Sequence, residues 1–147
     1  MTRPTLLVIA ASLMLAPAAF AATASTAPTT AATAAAALPA SNPFAQASSL
    51  PFHYPPFDKV QDADYAPAFT AGMAAHLAEI NAIANNRKPA TFDNTIVAME
   101  RSGELLGRVR TVFSVMSGSN TNETIQGLER ELAPKMAAHS DAIMLND

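Results

Sequence analysis

"TFDNTIVAMERSGELLGRVRTVF", residues Thr91 to Phe113, decides the fold. From it and the residues just after, Phe92, Ile96, Met99, Gly103, Leu106, Val109, Phe113 and Met116 recur every three or four positions. That period lines them along one side of an α-helix, close to a heptad seam. Val97, Leu105, Val112 and Val115 widen the stripe toward a second side. The spacing predicts one unbroken helix that starts at Thr91 or Asp93, either able to cap it, and ends at Gly118. At about 1.5 Å per residue, roughly 25 residues would span about 37 Å. Glu104 and Arg108 make a favourable i,i+4 pair. Gly103 and Gly107 would each cost about 1 kcal/mol in a helix interior. Two such costs point to another backbone passing close by on that side.

Working outward, two more helices flank this one. Upstream, Tyr65, Phe69, Met73, Leu77, Ile80 and Ala84 share one apolar face. Asp62 or Asp64 can cap that helix, with Pro67 expected in its first turn. "NNRKP", Asn85 to Pro89, closes it: asparagine tolerates a left-handed cap and proline cannot continue the helix. Downstream, Ile125, Leu128, Leu132, Met136, His139 and Ile143 form a third stripe. Asn120 or Asn122 can cap it, with Glu123 available for a capping box. Pro134 removes one backbone hydrogen bond in its middle and should kink it. The fold class is therefore all-α, a three-helix unit or extended helical hairpin. It carries more apolar stripe than three helices can cover among themselves, so an exposed patch is expected.

The first residues read as an address. Arg3 is the only charged residue before Asp58. It precedes the apolar run "LLVIAASLMLA", Leu6 to Ala16, then Pro17 and the small residues Ala19 and Ala21. That order predicts a signal peptide over residues 1–21, cut after Ala21 or, failing that, after Ala24. An uncleaved anchor is the other reading, but a span needs about 20 apolar residues and Pro17 interrupts this run early. Export to a bacterial periplasm follows. Residues 22–41 lack charge and any large side chain except Leu38, and are expected to be a disordered Ala/Thr/Pro tether. "NPFAQASSLPFHYPPF", Asn42 to Phe57, mixes prolines with four aromatics. It is expected to run extended across a helical surface, which leaves 42–147 as the helical segment.

Composition excludes several kinds of chemistry. With 12 acidic and 9 basic residues the net charge is −3, which lacks the positive field that nucleic acid requires. There is no cysteine, hence no disulfide or thiolate chemistry. His53, His76 and His139 stand in no H-E-x-x-H pattern, and each reads as a packed or partner-bonded histidine rather than a ligand. Asp62 and Asp64 read as caps rather than paired catalytic carboxylates. "NET", Asn122 to Thr124, matches a glycosylation sequon but reads as a helix cap. The residues alone give no catalytic, cofactor-binding or metal-binding site.

Five strings carry a family resemblance: "NPF" (42–44), "LPFHYPPFDKVQDADYAPAFTAGM" (50–73), "EINAIANN" (79–86), "PATFDNTIVAMERSGELLGRV" (89–109) and "LAPKMAAHSDAIMLN" (132–146). Together they resemble the N-terminal region of bacterial peptidyl-dipeptidases, within the thimet-oligopeptidase-like zinc metallopeptidases. The resemblance implies a much longer, almost wholly helical enzyme of two lobes around a channel, with these helices in one wall. It implies short peptide substrates cut to release C-terminal dipeptides. It implies zinc held by an H-E-x-x-H helix and a further glutamate in the C-terminal half, where the metal acidifies a bound water. No position of this chain matches those residues. On that reading the chain is an incomplete part of a metallopeptidase domain, inactive and zinc-free by itself, whose partner is the remainder of its own domain. The rival reading is a complete small exported helical binding protein without catalysis.

Overall fold

α1 spans Asp62–Ala84 and buries Tyr65, Ala68, Phe69, Gly72 and Ile80. Tyr65, Phe69 and Ile80 belong to the predicted face, so that face is the one that packs, although Ala84 at its end is exposed. The computed structural model describes residues 38–145, all of them helix or connecting loop. The predicted signal peptide, residues 1–21, and residues 22–37 of the predicted tether lie outside that range. Leu38, near the tether's predicted end, packs against the core. A 3₁₀ turn at Pro51–His53 precedes α1. A π-helical run, Asp93–Val97, then leads into the short α2 (Ala98–Glu100). α3 (Glu104–Ser119) and α4 (Glu123–Met144) complete the order. α1 packs chiefly on α3, and α4 lies against both.

The core is an aromatic chain set in aliphatic side chains. Phe44 meets Tyr65 with ring centroids 5.6 Å apart. Tyr65 meets Phe113 edge-on at 5.1 Å, and Phe113 meets Phe69 at 5.4 Å and 88°. Tilted and edge-on pairs of this kind suit the ring quadrupoles. Val109 and Ile125 are completely buried beside them, with Leu106, Val112 and Leu132 closing the cluster. Gly72 lets α1 and α3 approach: a Cβ there would lie 3.0 Å from the Cα of Leu106. The close backbone contact is thus at Gly72, not at Gly107, whose surroundings are open.

The predicted single helix from Thr91 is two. It starts as expected: Thr91 Oγ1 accepts from the Asn94 N–H at 3.1 Å, and Asn94 Oδ1 accepts from the Thr91 N–H at 2.8 Å. It then widens into π-helix and stops at Glu100. Gly103, at φ +72, turns the chain through the left-handed region before α3 begins. Only glycine adopts that geometry without a Cβ penalty. The apolar period ran through the break and concealed it. Leu106, Val109 and Phe113, past the break, are buried; Phe92, Ile96 and Met99, before it, are exposed.

Other ends differ in detail. α1 is capped by neither aspartate: Gln61 takes the N-cap, and Asp64 Oδ2 accepts the Gln61 N–H at 2.8 Å from the third helical position. Because the helix starts at Asp62, Pro67 lies in its second turn. Asn85 ends α1 at φ −88, outside the left-handed region. α3 runs one residue past Gly118. Asn122 caps α4 as expected, its Oδ1 accepting from the Ile125 N–H at 2.8 Å. Its Nδ2 also donates to Asp62 Oδ2 at 2.8 Å, which ties the starts of α1 and α4 together. α4 continues unbroken through Pro134. The aromatic arm holds only in part. Phe44 is buried, but Phe52 is fully exposed and Tyr54 is 63% exposed. Phe52 and His53 take positive φ, 57° and 56°, so the arm turns sharply where an extended path was expected.

Candidate functional site

The chain's best-built polar junction lies where α1, the Gly103 break and α4 meet. α1 brings His76 and Glu79 one turn apart on the same side. Glu79 Oε2 accepts the Gly103 N–H at 2.7 Å. His76 covers the bare side of Gly103: a Cβ at that position would lie 3.0 Å from the imidazole Cγ. On its other side, His76 Nδ1 faces His139 Nε2 of α4 at 3.0 Å, with ring centroids 5.1 Å apart. The break in the second helix is therefore seated by two side chains of α1, one of which also holds α4.

The imidazole pair has a definite electrostatic character. Partial burial, and then the neighbouring His76, hold the pKa of His139 below the usual 6.5. With both rings neutral, one of the two facing nitrogens carries the proton and donates it to the lone pair of the other. Among the described residues no three His, Asp or Glu side chains gather around one point. The two imidazole nitrogens are spent on each other and Glu79 on a backbone amide. These residues do not fit a zinc ion.

Two grooves lie on the surface. One is a groove of about 320 Å³ lined by Phe44, Pro55, Pro56, Val112 and Arg108. Arg108 Nη2 donates to the Phe44 carbonyl at 3.3 Å, while Nη1 stands 3.9 Å from the exposed carboxylate of Glu104. The predicted i,i+4 pair is present but loose. The other is a groove of about 500 Å³ at the far end of the bundle, lined by Ile80, Ile83, Met99 and Ile143. Large apolar side chains stand exposed on the same segments: Phe92 at 70%, Ile96 and Met99 at 47% each, Met144 at 79% and Leu145 at 76%. The patch expected from the excess of apolar stripe is present.

Tyr65 is the remaining buried titratable group. Burial, then Asp62 and Asp64, push its phenol up to about 12. Its hydroxyl has no partner. It stands inside the aromatic core rather than at either groove, so it serves packing.

Sequence reasoning assigned no site residue, and it treated His76 and His139 separately. Their separation of 63 positions hid their meeting. The one available signal was placement: His76 abuts the apolar stripe of the first helix and His139 lies on that of the third, and those helices must pack. His53 lies elsewhere, exposed, with Nδ1 2.9 Å from the Ser48 carbonyl oxygen. No helix among the described residues is long and apolar enough to cross a membrane.

Comparison with known proteins gives the lineage. No family-level sequence profile matches the chain. Over 105 residues it is 44% identical to the dipeptidyl carboxypeptidase of Escherichia coli (strain K12), a match covering 71% of this chain and 15% of that protein. Over 107 residues it is 40% identical to the dipeptidyl carboxypeptidase of Salmonella typhimurium, covering 73% and 16%. The chain thus spans about 15% of the length of the curated relatives it matches. Over 71% of its own length, this all-α chain is a homologue of the bacterial dipeptidyl carboxypeptidases, as the resemblance in its sequence implied.

Proposed function

We propose that this chain supplies a helical wall of a peptidyl-dipeptidase, an enzyme that releases dipeptides from the C-terminus of short peptides. The zinc ion, its ligands and the general base belong to other parts of that enzyme. The carrying observation is the exposed apolar end of the bundle, where Phe92, Ile96, Met99, Met144 and Leu145 stand in solvent beside an apolar groove. Fully burying such a side chain is worth about 1.5–3 kcal/mol. Five of them on one set of segments favour a large covering partner, and the covering partner proposed is the remainder of the peptidase domain. Relatives more than six times as long as the matched segment support that choice. The protein works after export, in a bacterial periplasm, free of membrane and nucleic acid, with short peptides as the enzyme's substrates.

The test is complementation. A dipeptidyl carboxypeptidase relative lacking its matching segment is mixed with this chain and assayed for dipeptide release with zinc present. Restored release is expected from the mixture and none from this chain alone. Release by this chain alone, or no gain on mixing, would overturn the proposal.

A further inference from the structure

α4 is held unevenly. As far as Met136 it buries Ile125 and Leu132 and half-buries Leu128 and Met136. Beyond Met136 only His139 and Ile143 turn inward; Ala137, Ala138, Ser140, Asp141, Ala142 and Met144 are exposed. The last two turns of α4 therefore rest on one hydrogen bond and one half-buried isoleucine. That hydrogen bond is His139 to His76. One turn further along each helix stand Ile80 and Ile143, which line the apolar groove at the bundle's end.

An imidazole pair at 3.0 Å has three proton states with different consequences. With both rings neutral, one N–H donates and the other nitrogen accepts. With one proton added, the donor becomes cationic and the bond survives, strengthened by charge. With two added, no lone pair is left between the rings, and two positive charges face each other in a half-buried site. The contact must then open.

The ionisable groups on the surrounding elements have other partners or stand in solvent. On α1, Glu79 is engaged by the Gly103 N–H. At the start of α3, Glu104 leans to Arg108. On α4, Lys135 is bound to Glu131 at 2.6 Å, and Asp141 is exposed. Among the described residues neither imidazole has a hydrogen-bond partner other than the other.

We infer that the His76–His139 contact is a proton-operated latch: it holds the last two turns of α4 on α1 near neutral pH and releases them in mild acid. Release uncovers Ile80 and Ile143 and widens the apolar groove between them. α4 as far as Met136, α1 and α3 stay in place, because their core carries no titrating group except the phenol of Tyr65. The latch is a property of this segment itself and stands whether or not the proposed enzyme is correct.

Two readings on the whole chain test it. Imidazole resonances are followed by NMR from pH 8 to pH 4.5. His139 is expected to titrate below the ordinary value of about 6.5. Amide protection by hydrogen exchange, corrected for intrinsic rate, is compared at pH 7 and at the end of the His139 titration. Amides 140–144 are expected to lose about tenfold or more, the factor that one pH unit of linkage supplies for one proton. Amides of Leu106 to Phe113 are expected to keep theirs. In the His76→Gln chain the His139 midpoint should rise and the acid loss at 140–144 should shrink. A His139 midpoint at or above 6.5, or protection at 140–144 that does not follow it, would overturn the latch. The wild-type readings decide the matter even if the variant fails to fold.

Discussion

Replacing Gly72 by alanine puts a methyl group into the crossing of α1 and α3. Its carbon would lie 3.0 Å from the Cα of Leu106, 3.1 Å from the Leu106 nitrogen and 3.2 Å from the Leu106 Cβ. Two of these neighbours are backbone, so α3 must move by a few tenths of an ångström. Overpacking of that kind costs about 1–3 kcal/mol. Against it, alanine favours a helix interior over glycine by about 1 kcal/mol. Gly107→Ala supplies the control: it gains the same propensity but meets nothing within 4 Å. Gly107→Ala should therefore stabilise by about 1 kcal/mol, and Gly72→Ala should lower stability by up to about 2 kcal/mol. The difference between the two variants isolates the crossing. Thermal melts followed by circular dichroism read it directly, since 1 kcal/mol moves the midpoint of a domain this size by about 4–8 °C. Equal upward shifts in both variants would refute the close approach of α1 and α3.

Three further outcomes follow from the same structure. Gly103→Ala should cost more than an ordinary glycine change, roughly 1–2 kcal/mol from the left-handed φ alone, and more from the 3.0 Å contact with His76; a melt at or above wild type would contradict the break. Tyr65→Phe removes a buried hydroxyl that has no partner, and should leave urea stability unchanged or raised by up to about 1–3 kcal/mol. His139 sets a pH dependence. Its folded pKa lies below 6.5, so between the two values the unfolded chain binds more protons. Stability is full above about pH 6.5 and falls as pH drops through that window; urea midpoints at pH 7.5, 6 and 5 should decline in that order, and less steeply in His139→Gln.

The helical faces were legible because burial imposes a period. Tyr65, Phe69, Leu106, Val109, Phe113, Ile125 and Leu132 all lie inside, where their spacing put them. The break at Gly103 was not legible, because side-chain period reports faces and says nothing of which glycine takes a positive φ. Gly103 and Gly107 look alike in sequence, yet one terminates a helix and the other lies open on its surface. Gly72, the residue that admits α3, has the same anonymity. The caps at Thr91 and Asn122 could be read, since each needs only local side-chain reach. The α1 cap at Gln61 is equally local but was missed, because two aspartates nearby are the stronger formers on propensity. The His76–His139 contact and the Asn122–Asp62 bond are tertiary, and no local rule joins residues 60 or more apart. The exposed end was foreseeable as a surplus of apolar stripe, though not its location before the break.

The apolar end of the bundle bears the weight of the functional proposal, and Met99 stands both in its groove and in solvent. The decisive measurement is the dipeptide-release titration of a relative lacking the matching segment, run with wild-type chain and with Met99→Glu in parallel. Activity that rises with added wild-type chain, and far less with Met99→Glu of equal helicity, is the predicted result. Equal rescue by both chains, or rescue by neither, would contradict it.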